Sequence, residues 1–317
     1  MAKVAAAAAR RDCVSRRHHY VPQAYMRAWS ADGKRIRVLD TVNGLDRLRG
    51  LRDTCVQENF YRVSVSNGEA HNQAEAMLAV IDGETARLLR MLRGWAAGDD
   101  VDFDDFMSLA VVLAFQRNRT PQTKRLLGAH SAWLRGRALQ EARPLSTAGF
   151  VATLFRSAFS AADEHSTRQL ELWDDPRGRV ITCDQPVILS SDSSGQPPST
   201  LTSQHLWWPI SPHRVLVLSS DLQPRKVVHR TMDRKGVDRL RAAVIRSAES
   251  AIIALSNDTD LPVGKKLRRR PQVVVDCKPV SSEKQQCRMS FSTQYGSSTL
   301  DRACQPLCAT KPLAETS

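Results

Sequence analysis

The apolar residues of this 317-residue chain change their spacing once, and that change limits the fold more than any other feature. Over residues 72–95, Met77, Leu78, Ile81, Leu88, Leu89, Leu92 and Trp95 fall at helical spacing, and Gly98 makes a natural stop. Asp102, with Asp105 three residues on, reads as an N-cap with an acidic first turn. It opens a strongly apolar helix through Phe106, Leu109, Val112, Leu113 and Phe115. Thr120-Pro121 ends or kinks that helix, because a residue before proline disfavours the helical region. Two more helical stretches, 122–142 and 147–163, follow with Pro144 between them. The pattern then shortens. Residues 169–173 read as a strand, 174–178 as a turn and 180–182 as the returning strand, and further strands are expected at 206–210 and 215–218 around Ser211-Pro212. A Ser/Gly/Pro-rich loop spans 190–202, and a last amphipathic helix is expected over 233–255. Near the start, residues 34–40 alternate charged and apolar side chains between the turn signals Asp32-Gly33 and Asn43-Gly44, which predicts a hairpin. The expected class is α+β and mainly helical: a helical core with small antiparallel β elements near the N-terminus and in the 168–220 region.

A 42% hydrophobic content is enough for a sizeable core. Residues 1–15 read as a disordered basic arm, 16–260 as a single α+β domain, and 261–317 as a basic, Ser/Cys-rich disordered tail. The formal charge of +13 is concentrated at the ends. Residues 1–37 hold nine Lys and Arg against Asp12 and Asp32, and residues 263–317 hold ten against four acids. Attraction to nucleic acid or a nucleotide is therefore expected to act through the termini, whose alternative role is to keep a neutral middle solvated. No run of about 18 apolar residues occurs, so no membrane span is expected. The alanine-rich start lacks a secretory apolar core, and seven cysteines without a paired framework read as reduced thiols; both point to the cytoplasm.

Five polar motifs could carry chemistry. His18-His19-Tyr20-Val21-Pro22 places two imidazoles beside a rigid proline, as general base, phosphate contact or metal ligand, or simply as satisfied polar residues. Glu75 and Asp82 are seven residues apart, close to two helical turns, so both carboxylates share one face, lining a cavity or edging solvent. Gln116 and Arg119 end the most apolar helix and need partners wherever they point inward. Asp184 sits at the end of an apolar strand within Cys183-Asp184-Gln185-Pro186, a place for a catalytic acid or for a turn before proline. Glu58-Asn59-Phe60-Tyr61 leads from a strand or loop into the helical region. No P-loop, dinucleotide fingerprint, His-Glu-x-x-His or Gly-x-Ser-x-Gly is present, which argues against the familiar ATP, NAD and zinc-protease chemistries.

Taken in order, these motifs resemble the bacterial family called domain of unknown function 4238, over about residues 17 to 256. The opening His-His-Tyr-Val-Pro run and the Gln-x-x-Arg-x-Pro element of Gln116 to Pro121 are the most specific parts. The chain departs from the family where Asp82 replaces a second glutamate and Cys183 a serine. The resemblance implies a fold extent and a set of site residues, not a reaction.

The leading expectation is an intracellular hydrolase acting on nucleic acid or a nucleotide, with phage defence as its setting. His18 or His19 serves as base or ligand, Glu75, Asp82 and Asp184 hold a divalent cation such as Mg2+, and Arg119, with Gln116 beside it, stabilises phosphate charge. The rival expectation is a non-catalytic interaction module, in which the same residues form a buried network, or a sensor of a small anionic ligand. An open polar pocket would mark a site; a closed, fully paired cluster would mark a network.

Overall fold

The computed structural model describes residues 16–64, 70–136, 144–190, 203–220, 226–262, 272–279, 285–293 and 296–301. In chain order the first elements are β1 (Arg17–His19), a short helix α1 (Gln23–Met26), the hairpin of β2 (Arg35–Asp40) and β3 (Leu45–Gly50), then β4 (Val56–Glu58), β5 (Val63–Ser64) and β6 (Ala70–His71). Four helices follow: α2 (Gln73–Gly94), α3 (Phe103–Asn118), α4 (Pro121–Gly136) and α5 (Thr147–Ser166). The second half holds β7 (Gln169–Asp174), β8 (Thr182–Cys183), β9 (Ile188–Leu189), β10 (His205–Ser211), β11 (Arg214–Ser219), β12 (Val228–Thr231), the helix α6 (Arg234–Ser247) and β13 (Ala251–Ala254).

Local chemistry sets several of these boundaries. Asp40 Oδ1 accepts from the Val42 and Asn43 N–H groups, and Gly44 takes φ 69°, so the first hairpin turns where Asn-Gly predicts. Asp102 caps α3 by accepting from the Asp104 and Asp105 N–H groups. Pro121 has no N–H to lose at the first position of α4, so α3 ends and α4 begins across the Thr120-Pro121 step.

The expectation of a mainly helical fold is overturned, because substantial sheet is present. A five-stranded sheet runs β12-β7-β11-β10-β9, with β12 parallel to β7 and the other pairs antiparallel. A four-stranded antiparallel sheet runs β3-β2-β13-β8 and joins the N-terminal hairpin to the end of the domain. Two readings concealed it. The helix expected over 233–255 stops at Ser247; Ala248 turns extended (φ −61°, ψ 130°), and 251–254 becomes a strand on β2. A run of four apolar residues is compatible with either state, and its neighbours decide. Residues 180–182 do not return onto 169–173, either: β7 pairs with β11, while Thr182 and Cys183 pair with β13. Where an unstructured tail was expected, residues 272–279, 285–293 and 296–301 form three antiparallel strands (β14 to β16). The 1–15 arm, most of the 190–202 loop and residues 302–317 lie outside the described residues.

Strand β11 shows how the core is divided. Leu216 and Leu218 join the larger cluster with the helices and the N-terminal segment, whereas Val215 and Val217 join a smaller one with Leu39, Ile252, Leu240 and Val244. Alternate residues thus serve opposite faces, both covered. The N-terminal segment is sunk into the larger cluster: Tyr25 stacks on Trp208 with centroids 5.6 Å apart, its hydroxyl shares a 2.6 Å hydrogen bond with the Thr182 hydroxyl, and Trp29 Nε1 donates to Val180 O at 2.9 Å.

Candidate functional site

Strand β1 pairs with β4, placing His18 opposite Gln57 and His19 opposite Val56. Consecutive strand residues point to opposite faces. His18 is fully buried, while His19 is half-buried. The Tyr61 N–H donates to His18 Nδ1 at 3.0 Å, and the two rings stack at 5.8 Å and 10°. His18 therefore anchors the segment to the Phe60-Tyr61 turn. Asn59, at φ 52°, makes that turn.

Arg119 organises the next layer. It is 1% exposed at the end of α3, and its guanidinium is spent on three partners: Nε donates to Tyr20 O at 3.0 Å, Nη2 to His19 O at 3.4 Å and Nη1 to Asp82 Oδ1 at 2.6 Å. Gln116 Nε2 donates to the same Tyr20 carbonyl at 3.0 Å, and the Tyr61 hydroxyl donates to Arg119 O at 2.7 Å. Burial alone would weaken the guanidinium charge, but the Asp82 carboxylate overrides it and holds Arg119 above its ordinary value. The spacing of Gln116 and Arg119 thus serves to grip the backbone between the histidine pair and Val21. Arg119 spends three of its five N–H groups in this pairing, and Gln116 one of its two amide N–H groups, on protein acceptors.

One atom in each of two side chains of this cluster is left without a hydrogen-bond partner. His19 Nε2 and Glu75 Oε2 are both shut off from solvent and unpaired. Burial lowers the His19 pKa below its ordinary 6.5, opposed by a backbone hydrogen bond with Leu51 and by the Asp82 charge. Burial raises Glu75 to about 7, reinforced by Asp82 and opposed by Arg119. Glu75 and Asp82 lie on α2 as their spacing predicts, and the Asp82 side chain is 31% exposed, so the cluster reaches solvent there.

Asp184 belongs elsewhere. Its carboxylate accepts from the Glu249 N–H (2.8 Å), the Ser250 N–H and hydroxyl (both 2.7 Å) and the Ala251 N–H (3.0 Å), tying β8 to the entry of β13. Burial pushes it up to about 6 against these donors, which favour the charged form. The expected cation site of Glu75, Asp82 and Asp184 is therefore not assembled. Among the described residues no three His, Cys, Asp or Glu side chains gather in a group able to hold a metal ion. The Asp184-Gln185-Pro186 motif does meet the Gln-x-x-Arg-x-Pro element, through Gln185 Nε2 donating to Arg117 O at 3.2 Å and a short bond from the Thr120 hydroxyl to Gln185 Oε1. Cys183 is buried, with its thiol pushed well up by burial.

Sequence reasoning did not single out Tyr61 as a contact of both His18 and Arg119, nor Ser250 and Glu249 as the clamp on Asp184. Only the turn signal beside Tyr61 could have suggested the first. The second needs the register of β8 on β13.

Fold and cluster together define an α+β domain whose His-His-Tyr segment is locked across two helices by a buried arginine. The chain belongs to the family described as protein of unknown function (DUF4238), whose model matches residues 17–142 and 154–258. No curated protein and no solved structure matches it. No helix among the described residues is long and apolar enough to cross a membrane.

Proposed function

We infer that the chain is a hydrolase acting on a phosphate ester of a nucleotide or nucleic acid, with His19 as general base and Glu75 as general acid. One observation carries this reading: the two side chains that each keep an unpaired atom beside the Asp82–Arg119 pair are shifted in opposite directions. A base must be unprotonated and an acid protonated at the same pH. Lowering the imidazole and raising the carboxyl toward about 7 opens a window near neutrality in which both conditions hold. His19 Nε2 accepts the proton of the attacking water, and Glu75 Oε2 returns one to the leaving oxygen. Asp82 and Arg119 hold the two in place, and the exposed edge of Asp82 marks the approach from solvent. The net charge of +13 supports a polyanionic substrate, and phage defence is a setting that suits such an activity.

A second reading, a non-catalytic clasp, is favoured by the protein acceptors that Arg119 and Gln116 already hold. Purified protein assayed against a panel of nucleotides and single- and double-stranded nucleic acids separates the two. Hydrolysis that falls about a hundredfold in both Glu75→Gln and His19→Asn, with the fold intact, supports the proton-transfer roles. Hydrolysis unchanged in both variants, or absent across the panel, overturns them and leaves the clasp.

A further inference from the structure

Helix α4 begins beside a cavity of 420 Å³ lined by Tyr20, Val56, Gln57, Phe60, Pro121, Lys124, Arg125, Glu249 and Ser250. His19, Glu75, Asp82 and Arg119 are not among its lining residues, and it meets their network only at Tyr20, whose carbonyl Arg119 and Gln116 hold. Its volume falls in the range of small-molecule sites, about 300–1,000 Å³.

The two cations on its wall are treated differently. Arg125 is neutralised by Glu249 through two 2.6 Å hydrogen bonds. Lys124, one residue earlier, pairs with no carboxylate among the described residues. Its Nζ makes one long hydrogen bond to Phe60 O at 3.4 Å and lies over the rings of Phe60 and Phe150, 4.7 and 5.3 Å from their centroids. Ring faces attract a cation but do not neutralise it. A half-buried ammonium without a counter-charge is costly, and burial lowers the Lys124 pKa accordingly. Lys124 also stands in the first turn of a sixteen-residue helix, whose positive end adds to the field at the cavity. Val56, Pro121 and the rings of Tyr20 and Phe60, the last beneath the Lys124 ammonium, give the lining its apolar part, with Gln57 and Ser250 as polar points.

We propose that this cavity binds a small organic anion, with Lys124 meeting its carboxylate or phosphate group and the Val56, Pro121, Tyr20 and Phe60 wall taking its compact ring or apolar part. The ligand supplies the counter-charge that Arg125 receives from Glu249 and Lys124 lacks. Because neither His19 nor Glu75 lines the cavity, occupancy is read by binding and not by turnover.

Isothermal titration of the full chain with phenyl phosphate and with benzoate tests this, each probe pairing one ring with one anionic group. At least one is expected to bind saturably, and the tighter of the two identifies the anion class. Lys124→Met is expected to weaken that binding at least tenfold. Gln57 is solvent-exposed on the rim, so Gln57→Glu leaves the fold alone, sets a rival carboxylate near Lys124 and is expected to weaken binding as well. It keeps the test decisive should Lys124→Met fail to fold. Binding of neither probe, or affinity unchanged in the variants that fold, overturns the proposal.

Discussion

Half-buried Glu75 and fully buried Asp184 are both acids raised by desolvation, and Tyr20 touches the surroundings of each: its carbonyl accepts from Gln116 and Arg119, and its side chain meets Cys55 and Ser250. The two carboxyls are nonetheless built for different ends. Asp184 receives four donors, all from residues 249–251, and is walled off completely. Glu75 retains an oxygen with no partner, beside an ion pair that reaches solvent. Desolvation raises both; what separates them is the number of donors aimed at each, and that difference is what the proposed role of Glu75 rests on.

The sharpest way to test that contrast is to remove each acid. Asp184→Ala leaves three backbone N–H groups buried without an acceptor, at about 1–3 kcal/mol each, so urea denaturation is expected to show a loss of about 4 kcal/mol. A loss below about 1 kcal/mol would erase the distinction from Glu75.

Much of this arrangement was legible in the chain, and the illegible parts share a cause. Helices α2 to α5, the first hairpin and strands β7, β10 and β11 follow from period and turn residues alone. The seven-residue spacing of Glu75 and Asp82 placed them on one face, as found. What failed were short segments whose state depends on distant partners. Ala251–Ala254 continues the apolar pattern of α6, yet β2 and β8 hold it as a strand. Asp184 looks the same in sequence whether it faces a ligand or the amides of 249–251. Arg119 looked free to meet a phosphate, because nothing local reveals that the carbonyls of residues 19 and 20 approach it from about a hundred residues away.

Arg119→Met comes next in expected size. It strands the Asp82 charge and the two carbonyls, and a loss of about 3 kcal/mol is expected from chemical denaturation. Tyr61→Phe removes only the hydroxyl bond to Arg119 O while keeping the stack on His18, for about 1 kcal/mol.

Glu75→Gln reverses the sign. Because the native carboxyl holds its proton more tightly than the unfolded chain does, its stabilising contribution is whole below the ordinary 4.5 and is lost as pH rises through about 7. The amide stays neutral throughout. The variant is therefore expected to match the parent near pH 4 and to exceed it by up to about 3 kcal/mol near pH 8, as melting curves across pH would show.

The opposed protonation of His19 and Glu75 is measured most directly by NMR titration of the carboxyl carbon of Glu75 and the imidazole of His19 in the intact protein. The expected result is a Glu75 midpoint near 7 and a His19 midpoint below 6.5. A Glu75 midpoint at the ordinary 4.5, with His19 at or above 6.5, would contradict it.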